Sequence, residues 1–290
     1  MGIIKDIVVD NCKILQEESR KIGLITGSNR NLITDTTVKN SEVDGSKKVG
    51  SICGESRDNI QNCHAISVTI TGVLESGGLV GCARENTTIS SCSVSDVIVE
   101  GSQKTGGVCG VNFRCAIKST IVNESEISGA KNIGGLAGIL VNSTISHCHV
   151  KNSKLEGIER IGGLFSTVES GGTISNCSCC VTIKGKTDIG GFGFKILDCL
   201  IEESYSSVDI YANSSCSGFV HNPIDNSSIS NCFAIGSFNC RKDIHALCST
   251  EPESIQQCYW NFSSKIIQDQ TNSSKVNTTD ITKLQTYILL

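Results

Sequence analysis

The sequence predicts an all-β fold, a single parallel β-solenoid of the right-handed β-helix type with about nine to ten coils. Three observations predict it: a glycine tag that recurs every 27 to 29 residues, a cysteine position that keeps nearly the same period, and short β-branched stretches between them. Self-similarity at a fixed period is the signature of a repeat architecture in which each coil packs on its neighbours.

The glycine tag reads Gly-Gly-Leu-x-Gly in its clearest copies and continues in altered form at Ser217 and His245. We predict that its paired glycines form a tight corner or a close approach between sheets, where a Cβ would collide. A phosphate-binding loop is excluded, because no helix pattern follows the glycines and no Gly-Lys-Ser/Thr closes the loop. The predicted structural glycines are Gly50, Gly77, Gly78, Gly106, Gly107, Gly134, Gly135, Gly162, Gly163, Gly190 and Gly191.

Cysteine is abundant, with 17 residues, an odd number that leaves at least one thiol unpaired in a monomer. The predicted stacked core column contains Cys12, Cys63, Cys92, Cys148, Cys177, Cys232 and Cys258, with Thr36, Thr120 and Ser204 in the same phase. A position that accepts threonine and serine needs a small buried side chain and not a fixed disulfide partner. We therefore favour mostly reduced, stacked thiols over a disulfide framework.

Two cysteine-containing stretches raise the question of metal binding. Residues 146–149 read Ser-His-Cys-His, and Cys177 is followed closely by Cys179 and Cys180. Successive residues of a strand point to opposite faces, so the ligands in either stretch cannot converge on one ion without help. A second spaced pair is also missing. No metal site and no cofactor are predicted.

Each repeat contains three short apolar stretches, which predict three short strands per coil. The clearest unit has them at residues 145–150, 155–157 and 161–164, rich in isoleucine, valine and leucine and separated by glycine, serine and asparagine. Such stretches alternate in polarity, which is typical of strands. Glycine at this frequency costs a helix about 1 kcal/mol per residue, which excludes helical repeats. We predict a solenoid over residues 1–258 and a C-terminal capping segment or tail over 259–290.

Composition narrows the possible partners. The net charge is −4, with acidic and basic residues interleaved, which argues against a nucleic-acid-binding surface. No apolar run approaches the roughly 18 residues that a membrane-spanning helix needs. Charges at Lys5, Asp6 and Asp10 interrupt any signal-peptide apolar region, so no export signal can be identified.

An enzymatic β-helix would need convergent catalytic groups. Glu100 and Glu156 share one predicted outward column and lie two coils apart, about 10 Å at the usual strand spacing, within the range that glycoside hydrolysis uses. That column elsewhere holds threonine, serine and lysine, as a solvated face does. His64 and His149 each follow a column cysteine but should face the opposite way. No metalloprotease or serine-hydrolase motif is present. We predict no catalytic residues.

The tags at residues 76–81 and 133–138, together with the Asn-Cys dipeptides at 62–63, 176–177 and 231–232, resemble GLUG-motif repeats. The Cys-Tyr-Trp at 258–260 and the Thr-Thr-x-x-x-x-Leu at 278–284 resemble the way such arrays end. The likeness covers about residues 9 to 285. GLUG repeats occur in large bacterial surface and secreted proteins, including adhesins, and the motif is not catalytic.

The resemblance implies an extracellular or cell-surface location and a non-catalytic, extended binding or spacer module of an adhesin-like protein. Its partner would be a host or cell-surface glycan or protein, bound on a lateral face or on polar loops such as 140–144 and 167–173. Two alternatives stay open: a carbohydrate-active β-helix enzyme (polysaccharide lyase or hydrolase) and an inert structural stalk. The start of the sequence, almost inside the first coil, suggests a fragment of a longer protein.

Overall fold

A computed structural model describes residues 2–250 and 252–264. Over this part the chain consists of strands and turns, and it contains no helix that could cross a membrane. The strands wind into a parallel β-solenoid of about nine turns, in which each coil pairs with the coil about 28 residues later. The predicted fold class is confirmed.

The described residues form 31 strands. The first ten are β1 Ile3–Asp10, β2 Lys13–Ile22, β3 Thr26–Asn29, β4 Leu32–Gly50, β5 Cys53–Ser56, β6 Ile60–Gly77, β7 Val80–Arg84, β8 Thr88–Ser90, β9 Ser93–Ser95 and β10 Ile98–Gly106. The next eleven are β11 Cys109–Phe113, β12 Ala116–Lys118, β13 Ile121–Asn123, β14 Glu126–Ser128, β15 Lys131–Gly134, β16 Ala137–Ser146, β17 His149–Glu156, β18 Glu159–Gly162, β19 Phe165–Ser175, β20 Ser178–Lys184 and β21 Thr187–Gly190. The remainder are β22 Gly193–Leu197, β23 Cys199–Glu202, β24 Tyr205–Ala212, β25 Cys216–Ser217, β26 Val220–Ile224, β27 Ser228–Ser230, β28 Phe233–Cys240, β29 Ile244–His245, β30 Ser254–Gln256 and β31 Tyr259–Ser264.

One column of the core consists entirely of isoleucine. Because the strands pair in register, equivalent positions of successive coils lie directly above one another, and their side chains stack along the rod. The two ends of this column are half-buried and its interior members are fully buried. The column is Ile4, Ile33, Ile60, Ile89, Ile117, Ile145, Ile174, Ile201, Ile229 and Ile255.

The coil is divided more finely than the three apolar stretches suggest. Strands β11 to β15 form one coil, so this coil has five strand segments. The breaks between the first four segments contain Arg114, Ser119 and Glu124, which have φ angles of 55°, 47° and 50°. A single residue in the left-handed region turns the chain without adding a loop. The corners are therefore too short to appear as separate turns in the hydrophobic pattern.

Aromatic residues enter the core towards the C-terminal end of the rod. The tag leucine gives way to Phe192 and then Phe219 in later coils, and their rings stack with centroids 4.6 Å apart. Phe165 packs edge-on against Phe192 at 5.8 Å. These larger rings fill the core in the coils near the altered glycine tag, as expected for a tightly packed interior.

The end of the described chain is still part of the solenoid. Strand β31 pairs in parallel with β28, with Tyr259 opposite Phe233 and Phe262 opposite Gly236. The predicted capping segment 259–290 therefore begins with a solenoid strand, and its residues 265–290 lie outside the described part of the chain.

Candidate functional site

The cysteine column occupies a corner of the coil, directly after a residue in the left-handed conformation. There the Cys63 Sγ donates a hydrogen bond to the Gln61 carbonyl oxygen at 3.1 Å, across Asn62 with φ 48°. Thr120 and Ser204 make the same bond to the carbonyl two residues earlier, at 2.9 and 2.8 Å. The corner needs a short side chain with a hydrogen-bond donor, which is why cysteine, threonine and serine interchange here.

Adjacent coils bring some of these cysteines together. Ser146 pairs with Ser175 and His149 with Ser178, which places Cys148 and Cys177 in neighbouring coils of one column. All 17 cysteines are unbridged. Burial raises the pKa of the Cys148 thiol well above its ordinary value. Cys148 is therefore protonated at neutral pH and serves as a core side chain, because the thiolate is the reactive form.

Cys12 does not belong to this column. Its backbone N–H donates to Ser41 Oγ at 3.0 Å, whereas Thr36 pairs with Ile7 of the first coil. Cys12 is exposed and follows the left-handed Asn11 at a second corner of the coil, where its Sγ lies 3.6 Å from the Asp10 carbonyl oxygen. The sequence-based placement was wrong because the same corner chemistry occurs twice per coil.

The glycine tag is a sharp reversal of the chain. A Cβ on Gly135 would collide with the Gly163 carbonyl oxygen of the next coil, and one on Gly134 with the carbonyl oxygen of Ala137 in its own turn. The second glycines thus stack backbone against backbone along the rod, and the first glycines close the turn. The collisions involve backbone atoms, which cannot move aside, so glycine suits both places in this coil, whereas a later coil has Ser217 opposite Gly190.

The tag reversal builds a charged cluster at the N-terminal end of the rod. The strand that leaves the tag carries Glu55 in the second coil, whose register partners in the flanking coils are Ser28 and Cys82. The residue two positions before the tag glycine is in the left-handed conformation in each coil, as at Lys21 and Lys48 with φ 62° and 57°. These lysine side chains reach Glu55.

Four cations converge on this one carboxylate, and we call the five residues the Glu55 cluster. The Glu55 side chain is 4 % exposed and pairs with Lys48, with Lys21 Nζ at 3.1 Å, and with Arg57 and Arg84 Nε at 3.4 and 3.5 Å. Burial by itself would raise the pKa of the Glu55 carboxyl, but hydrogen bonds from Lys48 and Lys21 outweigh it and lower the pKa to about 2.

Further cations extend the cluster along the rod. Arg84 and Arg114 both lie over the Phe113 ring, with guanidinium carbons 5.9 and 5.2 Å from its centroid. Lys104 occupies the same column as Lys48, two coils on, by the register of β4, β6 and β10. Within the described part of the chain, neither Lys104 nor Arg114 has a carboxylate within 4.0 Å.

Sequence reasoning missed this cluster. Lys21 and Glu55 are 34 positions apart, and the four cations come from the first three coils. The left-handed corner sends the lysine side chains to the outward column of the following strand, which the alternation of apolar residues does not reveal. The available signal was the recurrence of lysine two positions before the tag glycine, at Lys21, Lys48 and Lys104.

The predicted outward carboxylates lie as expected in one column. Glu100 pairs with Ser128 and Ser128 with Glu156, so the two carboxylates are two coils apart and both are exposed. His64 and His149 are half-buried on the outer face, and their Nδ1 atoms contact Ser93 and Ser178 Oγ at 2.7 and 2.8 Å.

The stretches considered for metal binding are split between faces. Cys148 and Cys177 are buried in the corner column, Cys179 is buried in the core, and Cys180 is half-exposed. His147 lies at the corner with φ 54°. Among residues 2–250 and 252–264, no three histidine, cysteine or acidic side chains form a group that could hold a metal ion.

A serine–histidine pair occurs where the glycine tag is altered. Ser217 Oγ lies 3.0 Å from His221 Nδ1, and His221 stacks on Phe194 with centroids 5.8 Å apart. Ser217 is fully buried, and burial lowers the pKa of His221 to about 4. A substrate has no access to this hydroxyl, so the pair fills the space beside a turn that elsewhere contains glycines.

Comparison with known proteins adds no assignment: no protein-family model, no curated protein and no solved structure matches the chain.

Proposed function

We propose that this solenoid is a non-catalytic, extended binding or spacer module of a cell-surface or secreted adhesin-like protein. The observation that supports it most is the concentration of cations around the buried Glu55 on one lateral face of a rod. Outward carboxylates such as Glu100 and Glu156, in contrast, are exposed and separated by Ser128. The resemblance to GLUG repeats points to the same role.

The architecture suits recognition without rearrangement. Each coil is paired in register with the next, so the lateral side chains keep fixed positions along the rod. A preorganised surface loses little conformational freedom on binding, which favours affinity. Repeat proteins commonly use such extended surfaces for binding.

A glycan panel tests the proposal against its alternatives. The full chain is screened for binding to neutral and acidic oligosaccharides, and the same panel is assayed for cleavage products. Binding without turnover supports a binding module. Turnover that is lost in Glu100→Gln or Glu156→Gln would replace it with the carbohydrate-active enzyme, and the absence of any ligand, including host surface proteins, would favour the inert stalk.

A further inference from the structure

We propose that the basic face of the first four coils binds an acidic polysaccharide, one that carries carboxylate or sulfate groups. The basic face consists of Lys21, Lys48, Arg57, Arg84, Lys104 and Arg114. This inference rests on the proposed binding function and names the ligand class and the surface.

The basic face has more cations than its own carboxylates can neutralise. Within the Glu55 cluster four cations share Glu55, and the one additional carboxylate is Glu85, which contacts Arg57 at 3.2 Å. Lys104 and Arg114 add two further cations with no carboxylate within ion-pair distance in the described chain. Glu75 lies between Lys48 and Lys104 in their column, and its pair with Lys47, at 3.7 Å, is neutral. The Asp58 carboxylate accepts the Asn59 backbone N–H at 2.7 Å. A surplus of positive charge on a chain of net charge −4 marks a local anion-binding surface.

Arg84 contacts both Glu55 and solvent. Its Nε atom is inaccessible to solvent, with Glu55 at 3.5 Å as its ionic neighbour, whereas the side chain as a whole is 35 % exposed. Guanidinium groups bind carboxylate and sulfate oxygens through paired N–H donors. The Arg84 and Arg114 guanidinium groups both lie over the half-buried Phe113 ring.

The dimensions fit a short stretch of a linear polymer. Coils rise by about 4.8 Å, so the basic face extends about 14 Å along the rod, and Lys48 and Lys104 are about 10 Å apart. Cations repeated along the rod axis at this interval match acidic groups that recur once in every few sugar units.

Nucleic acid fits this face less well. Stable binding to a nucleic acid backbone depends on many phosphate contacts and on a broadly basic protein surface. Here six cations lie in four coils of a chain whose net charge is −4. Single strands also need exposed aromatic platforms for base stacking, whereas Phe113 is already flanked by two arginines.

The test compares two double variants of the full chain. Lys104→Asn with Arg114→Asn removes two cations that lie outside the Glu55 pairs, and asparagine already occupies the equivalent left-handed positions one coil on, at Asn132 and Asn142. The control, Lys118→Ser with Lys151→Asn, removes two exposed cations elsewhere and uses the residues found in adjacent coils, Ser146 and Asn123. Dissociation constants are measured for polygalacturonate and heparin oligosaccharides, a neutral glucan and a DNA duplex at low and moderate salt.

We expect both acidic oligosaccharides or one of them to bind, with an affinity that falls as salt rises. The Lys104/Arg114 variant should bind these oligosaccharides about tenfold more weakly than the parent, because the two lost cations attract the acidic groups electrostatically. The control variant should bind with the same affinity as the parent. Preference for one acidic oligosaccharide distinguishes carboxylate from sulfate as the recognised group.

Four results would overturn the inference. Equal affinities in both double variants would show that the basic face is not the binding site. Tighter binding to the DNA duplex would show that the ligand is a nucleic acid and not an acidic polysaccharide. Binding to the neutral glucan alone would reject the acidic ligand and leave the proposed binding module intact. Failure to bind any ligand, in this series and in the wider panel, would reject both.

Discussion

A short donor side chain follows the left-handed residue at the corner that contains the cysteine column. The Cys148 Sγ donates to the Ser146 carbonyl at 3.3 Å, and Thr120 and Cys177 do the same in the coils on either side. The Ser146 carbonyl also accepts the Ser119 backbone N–H of the preceding coil at 3.0 Å, so the thiol is its second donor. Cysteine adds a larger apolar surface than serine, which suits a buried corner.

Removal of the donor at this corner should cost more than removal of the sulfur. We expect Cys148→Ser to be more stable than Cys148→Ala by about 1 kcal/mol, the usual net value of one hydrogen bond. Chemical denaturation of the two variants and the parent measures the difference. Equal stability of the serine and alanine variants would show that the corner needs a small side chain only.

Glu55 is the buried charge with the most partners in the described structure. Its carboxylate is stabilised by four cations, and removal of the negative charge would leave Lys48, which is 11 % exposed, with an unneutralised charge in the same space. Breaking a buried ion pair in this way is typically costly, because the remaining charge keeps its desolvation penalty.

The Glu55 cluster should make stability depend on pH in the acidic range. The carboxyl has a pKa of about 2 in the fold against an ordinary 4.5, so its contribution is complete above pH 4.5 and is lost as the pH falls towards 2. We expect Glu55→Gln to cost roughly 3 kcal/mol at pH 7. That cost should shrink steadily below pH 4.5, as followed by chemical denaturation across pH.

Glu159→Gln is the matched control for this series. Glu159 pairs with Lys131 at 2.6 Å, but both side chains are about one-third exposed, so the loss should stay below about 1 kcal/mol. A cost for Glu55→Gln that is as small as the control's, or that does not change with pH, would contradict the role assigned to Glu55.

The tag reversal brings strands β15 and β16 and their counterparts close enough for backbone contact. Gly135 lies against the Gly163 carbonyl oxygen of the next coil, and Gly107 against the Gly135 carbonyl oxygen. Each tag therefore depends on the tags above and below it. This explains why the glycines recur as pairs, whereas the single glycine near the end of the second apolar stretch is replaced by Ala212 in the eighth coil.

Two glycine substitutions should distinguish the paired glycines of the tag from the single glycine of the second apolar stretch. Gly135→Ala should destabilise the protein by about 3 kcal/mol or more, because the added methyl group meets backbone that cannot yield. Gly185→Ala should cost about 1 kcal/mol or less, since its nearest neighbours are the flexible ends of Ile161 and Ile189 and the next coil has Ala212 there. Thermal unfolding ranks the two variants, and the reverse order would refute the backbone-contact account.

The rod as a whole is held together by coil-to-coil stacking. Its stability is approximately a sum over neighbouring coils, so a defect in one coil weakens two interfaces. The interior columns of isoleucine, valine and leucine provide most of the apolar burial, because few aromatic residues are available: the chain has 8 Phe, 4 Tyr and 1 Trp.

An inward isoleucine in the middle of the rod tests this stacking. Ile161 is fully buried and pairs with Ile133 and Ile189. Ile161→Ala should lower the free energy of unfolding by roughly 2–5 kcal/mol. Ile158 lies three residues earlier and is 45 % exposed, so Ile158→Ala should stay within about 1 kcal/mol of the parent. Denaturation midpoints of the two variants check the contrast, and similar losses at both positions would argue against the coil register.

The fold class, the period and the positions of the stacked glycines follow from the linear pattern. A β-solenoid repeats the same local environment once per coil. The sequence therefore shows the period and the alternation directly, as in the recurrence of Ile145 and Ile174 at equivalent positions. The corners left ambiguity, because two corners per coil accept the same residue types. Cys12 precedes Thr36 by 24 positions but Ser41 by 29, and it lies at the corner of Ser41.

The Glu55 cluster could not be predicted in this way. Its partners Lys21, Lys48, Arg57 and Arg84 come from different coils, and their meeting depends on the direction in which each left-handed corner sends a side chain. The direction of a side chain at a corner depends on φ and ψ and on the packing of adjacent coils. The repeating pattern of residue types in the sequence specifies neither of them. Three-dimensional contacts between coils therefore create the charged face on a rod whose shape the repeat already specifies.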